Sequence, residues 1–238
     1  MQMQSPVLRT VAVLTLFGVS FACVESAVVV YLRALYEPFR LRALAPAPNV
    51  DEVFPLLTAE QVRQAGPQVV RTTLVELGRE FSTLVMLAAV GFLGGWTFRQ
   101  WLAGFMIAFG VWDIFYYVFL RLFLGWPASL LTWDILFFLP VPWTGPVISP
   151  VIVAGTMIVL GVLILRREAI GRPVRFNAIS LAILIAGALI IIVAFCWDYA
   201  NILAGGRPTW FNWPLFLAGE GIAVAGFNWA FRNRGAAT

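Results

Sequence analysis

Glu25, Asp113 and Glu220 lie in stretches of the chain that otherwise carry almost no charge. On insertion scales an acidic side chain near the bilayer centre costs about 2.5–3.5 kcal/mol, so three cost about 8–10 kcal/mol together. Such groups persist where a partner, water or a ligand compensates them. They are the first candidates for chemistry: binding a cation or an amine, exchanging protons, or supplying oxygen ligands to a hard divalent ion. Glu80 joins them because it enters an apolar stretch from its polar end. Arg33, Arg79, Arg121, Tyr117, Asp134 and Asp198 lie near enough in sequence or depth to support the site.

Composition sets the class. Of 238 residues, 61% are hydrophobic and 12% charged, against about 25% charged in an ordinary soluble domain. Several runs approach the length of about 20 residues that crosses a hydrocarbon core of roughly 30 Å. The expected fold is an all-α polytopic bundle in one domain with the lipid bilayer as its surroundings. Spans are expected at about 11–32, 67–98, 101–124, 148–165, 179–197 and 214–231. A polar connection over 33–66 contains Asp51, Glu52 and an Ala-Pro-Ala-Pro-Asn stretch. Pro67 suits the first turn of its helix, where a missing N–H costs nothing, and Arg99-Gln100 reads as a tight turn. Over 125–150, Pro127–Leu139 has length for about three helical turns, while Pro140, Pro142, Pro146 and Pro150 bar a regular helix beyond it. That segment reads as re-entrant or interfacial.

Helical spacing aligns the candidates. Thr15, Gly18, Ala22 and Glu25 form a small-residue seam; Glu76, Glu80 and Thr83 share a face, as do Gly110, Asp113, Tyr117 and Arg121. This phase allows Tyr117 to link Asp113 to Arg121. Glu220 is flanked by Gly219 and Gly221, which admit a neighbouring backbone. Trp112-Asp-Ile and Trp133-Asp-Ile recur 21 residues apart, a coincidence in an aromatic-rich chain or a duplicated half-site. The competing reading of every acid is structural: Arg33, Arg79 and Arg121 can snorkel inward and neutralise Glu25, Glu80 and Asp113 in pairs that fix helix register.

All 16 basic residues are arginine and histidine is absent. Histidine ligation of haem, zinc or copper is thereby removed, and so is an imidazole proton shuttle. No cofactor is expected on these grounds, although a divalent cation on carboxylates stays open. The net charge of +4 is scattered, with no run fit for nucleic acid. Cys23 and Cys196 belong to no metal or redox spacing and read as buried thiols. Ser20-Phe21-Ala22-Cys23 is a poor leader-cleavage site within an apolar run that continues, so a retained first helix is expected. Arginines of the short loops (Arg9, Arg99, Arg166, Arg167, Arg172, Arg175, Arg232 and Arg234 on one side, Arg121 and Arg207 on the other) place both termini in the cytoplasm. The acids then fall in the extracytoplasmic half.

Val24–Arg33, Glu76–Glu80, Trp112–Tyr117, Gly125–Asp134 and Pro140–Pro146 resemble segments of uncharacterised bacterial polytopic integral membrane proteins. The resemblance implies a bacterial inner-membrane location and no particular activity. Zinc-protease, nucleophile-elbow and histidine-triad signatures are absent. Three functions compete: a carboxylate-lined pocket open to the extracytoplasmic side that binds or transports a cation, proton or small amine-bearing solute; an accessory subunit of a larger membrane complex; and an intramembrane enzyme acting on a lipid through a carboxylate-bound divalent metal.

Overall fold

The computed structural model describes residues 5–44 and 53–232; Asp51, Glu52, the Ala-Pro-Ala-Pro-Asn stretch and Arg234 lie outside them. Of the described residues 75% are helical, and among them five helices are long and apolar enough to cross a membrane. The first, α1 (Ser5–Ala43), has 39 residues, or roughly 58 Å at 1.5 Å per residue. It runs well past the expected end at Leu32, so the expected connection is helical through Ala43. Helix α2 (Ala59–Gln64) begins in a capping box between Thr58 and Gln61, and the Gln61 amide donates to the Ala43 carbonyl at 3.3 Å. That bond ties the connection back to the end of α1.

Helix α3 (Pro67–Val90) starts with Pro67 in its first turn and continues into a 3-10 turn, Gly91–Gly94. Arg99-Gln100 does not form the turn that follows. The bend falls at 95–97, and Thr97 caps α4 (Phe98–Leu124) by pairing with Gln100 in a second capping box. The side chains that close a cap belong to the helix they start, so the turn lies upstream of them.

Between α4 and α5 (Ile148–Ala169) the expected three helical turns are absent. Instead β1 (Trp133–Phe137) pairs antiparallel with β2 (Trp143–Pro146), Asp134 standing opposite Gly145. Trp, Ile and Phe suit an extended backbone packed on both faces, and the prolines at 140 and 142 deny helical donors to the residues before them. Trp143 stacks on Phe195 at 6.3 Å and Trp133 meets Phe211 edge-on. Strand pairing satisfies backbone groups that lipid could not.

Helix α6 (Ala178–Phe195) is followed by the short α7 (Tyr199–Leu203) and by α8 (Trp213–Arg232). The core is built on α4. It runs alongside α1 in the same direction, with Gly18 against Ala108 and Val111 and the Ser26 hydroxyl donating to the Tyr116 carbonyl at 3.1 Å. It packs antiparallel to α5, where a Cβ on Gly110 would stand 2.5 Å from the Ala154 carbonyl. Helices α6 and α8 make their own close antiparallel pair, joined to the rest largely through aromatic contacts. Cys23 and Cys196 are half-buried and free.

Candidate functional site

Helices α1 and α3 are held apart. They meet through side chains: Thr83 donates to Glu25 at 3.0 Å, Arg79 binds the other oxygen of Glu25, and Tyr36 meets Thr73 at 2.8 Å. The gap between them is a cavity of about 340 Å³. It is lined by Trp112, Asp113, Tyr116 and Tyr117 of α4, by Asp134 and Phe137 of β1, and by Val53, Leu56, Leu57 and Val62 of the α1–α3 connection.

Six carboxylates (Glu25, Glu37, Glu76, Glu80, Asp113 and Asp134) and three guanidiniums (Arg33, Arg40 and Arg79) line this space. The chain as a whole carries +4 and has twelve acids, so half of its acids surround one cavity. The local excess is negative, opposite to the molecule. Low-dielectric walls focus that field inward.

The acids have different duties. Glu25 is buried and paired with Arg79, which also holds Glu76 through a 2.9 Å bond from its Nε. Glu80 accepts the backbone N–H of Phe138 at 2.9 Å and of Leu139 at 3.2 Å. Its carboxylate therefore holds the end of the hairpin against α3. Both groups have their oxygens occupied by protein donors. This is the structural role that arginine-rich surroundings made a competitor, although the partners of Glu80 are backbone amides and not an arginine.

Asp113 and Asp134 are the inner pair. Asp113 is 9% exposed, and its Oδ2 has no hydrogen-bond partner among the described residues. The indole N–H of Trp112, the adjoining residue, is likewise buried without one. Asp134 is 5% exposed and accepts the Tyr117 hydroxyl at 3.0 Å. Burial pushes the Asp134 carboxyl up to about 6, against the opposing pull of the Ile135 N–H, the Tyr117 hydroxyl and the Arg33 guanidinium. Arg33 stacks on Trp126 with 4.5 Å from its carbon to the ring centre.

Four candidates stand elsewhere or act differently. Arg121 does not reach Asp113 through Tyr117; it caps the carbonyls of Gly125 and, at 3.1 Å, Pro127, because the αL residue ending α4 turns those carbonyls back toward it. Tyr117 bonds to Asp134 instead. Asp198 accepts from the Asn201 amide at 2.9 Å in the α6–α8 connection. Glu220 is buried against Thr156 of α5 and does not line the cavity.

Sequence reasoning gave Asp134 a supporting place and passed over Trp112 and Tyr116 as lining residues. The repeated Trp-Asp-Ile carried a signal for Asp113 and Asp134. Both of its aspartates face this cavity, one from a helix and one from a strand. Among the described residues no group of three or more aspartates, glutamates and cysteines is arranged to hold a metal ion. No protein-family description, curated protein or solved structure matches this chain.

Proposed function

We propose that the protein is a multi-pass membrane protein that binds, and by extension transports, a small amine-bearing solute in the α1–α3–α4 cavity. The observation that carries this reading is the concentration of half the chain's carboxylates around one space in a molecule of positive net charge. Asp113 would supply the counter-charge at the base. The rings of Trp112, Tyr116, Tyr117 and Phe137 would cover the cation and its apolar body, an arrangement worth about 2 kcal/mol or more when desolvated. Volume agrees, since small-molecule pockets start at about 300 Å³. In this reading α8 is the sixth span, the membrane is the bacterial inner one with both termini cytoplasmic, and the cavity opens at its Glu37–Arg40 end to the extracytoplasmic side.

The test compares benzylamine with benzyl alcohol, which has a similar body and no charge, as thermal stabilisers of the purified full chain. Benzylamine is expected to raise Tm and benzyl alcohol not. Asp113→Asn is expected to weaken benzylamine at least thirtyfold, because losing one partner of a buried charge pair costs about 2 kcal/mol or more. Equal response to both compounds, or an unchanged Asp113→Asn, would overturn the reading.

A further inference from the structure

Asp113 and Asp134 come from different elements, α4 and β1, yet line the same cavity and lie within electrostatic reach of each other. Two carboxylates so deeply buried do not both stay ionised without cations to match. The charges facing them decide how many are matched. From α1, Arg33 faces Asp134, while Glu25 is matched by Arg79 of α3. Also from α3, Glu80 is held by the Phe138 and Leu139 backbone N–H groups. From α4, Tyr117 donates a hydrogen bond to Asp134, and Tyr116 adds a neutral phenol. Arg33 answers one negative charge of the pair, and the unpartnered Oδ2 of Asp113 is the place where a second proton or cation belongs.

Resting on the cavity being a cation site, we propose that it exchanges one proton for one organic ammonium at Asp113. With no cation bound, Asp113 is the neutral acid. As the ammonium enters, the O–H bond of that acid breaks, the electron pair stays on the carboxylate, and the proton leaves past Asp134 to the aqueous mouth. One positive charge enters and one departs, so the site keeps its net charge. In a protein that moves its ligand, this stoichiometry is that of a proton–amine exchanger. The Asp134 carboxyl, raised by burial to about 6, can take up that proton and pass it on.

The experiment uses the full chain in detergent near pH 6, where benzylamine is already protonated and contributes no proton on binding. Proton release is measured in weak buffer alongside bound benzylamine, and the infrared C=O stretch of protonated carboxyl groups is followed in the same samples. The expected result is one proton released per benzylamine bound, with loss of a carboxylic-acid band that Asp113→Asn lacks from the start. Glu220→Gln, outside the cavity, should release the same proton. Benzylamine that binds without proton release, or without loss of the band, removes the exchange and leaves the cation site. Failure of benzylamine to bind while the band is present removes the cation site and the exchange with it. The wild-type proton count needs no variant, so an Asp113→Asn chain that fails to assemble would not protect the proposal.

Discussion

Two buried acids, Asp113 and Glu220, occupy opposite kinds of surroundings. Around Asp113 the helices stand apart: α1 and α3 touch through Arg79, Thr83, Tyr36 and their partners, and a cavity of about 340 Å³ fills the space left between them. Around Glu220 the backbones close up. A Cβ placed on Gly187 of α6 would lie 2.6 Å from the Ala223 nitrogen of α8, and one on Gly219 would lie 2.9 Å from the Ile191 nitrogen. The lesson is that a carboxylate inside an apolar helix does not by itself mark a site. Small residues beside it draw a neighbouring helix in and leave room for one hydrogen bond, here from Thr156. Long side chains bridging two helices hold them open and leave room for a ligand.

The comparison can be broken from either side. The largest effect is expected on the closed side: Gly187→Leu drives a side chain into backbone that cannot yield. It should cost about 3 kcal/mol or more, read as a fall in Tm. Gly155→Leu, with no atom near its added carbon, should stay close to wild type. If the two behave alike, the α6–α8 seam is looser than described.

On the open side, Arg79→Met strands Glu25 and Glu76. The arginine is 27% exposed in its side chain, so the loss falls below that of a fully buried pair, at roughly 2 kcal/mol. Glu25→Gln in the same chain should restore part of it, and strictly additive losses would show that the pair does not hold α1 to α3.

A smaller effect follows from pH. The carboxyl of Asp134 is raised to about 6 in the folded protein against an ordinary 3.8, so the folded state holds the proton more tightly than the unfolded one. Stability from this group is therefore fullest at low pH and declines as pH rises through about 6. Between pH 5 and pH 8 the decline is about 1.4 kcal/mol. Asp134→Asn should flatten this part of the stability–pH curve, measured by denaturant unfolding in each buffer, and an unaltered slope would assign the dependence elsewhere.

The smallest effect is expected at Glu220. Glu220→Gln keeps a hydrogen-bonding group beside Thr156 and should change stability by less than about 1 kcal/mol while leaving benzylamine stabilisation intact. Loss of that stabilisation would put the α6–α8 pair into the site.

Much of this organisation was legible in the residues. Apolar runs of spanning length gave the five helices long and apolar enough to cross a membrane. Three-to-four spacing put Asp113 and Tyr117 on one face of α4, and Glu80 and Thr83 on one face of α3. Pro67 marked the start of α3. These are properties of contiguous chain: hydrophobic length, helical period and the missing N–H of proline act within a few turns. The prolines after Leu139 also showed that the chain could not continue there as a helix.

Only the tertiary structure decided which acids meet. Sequence could not tell that Tyr117 turns to Asp134 and leaves Arg121 to carbonyls, that Glu80 receives the backbone of a hairpin, or that the Trp133–Phe137 segment is a strand. Each depends on what a distant segment offers, and a short apolar run has no periodicity long enough to separate strand from helix. Glu25, Asp113 and Glu220 look alike as residues in oil. Whether each faces an arginine, a cavity or a threonine is fixed by how far apart the neighbouring backbones stand, and that distance is a sum over side chains brought together from the whole chain.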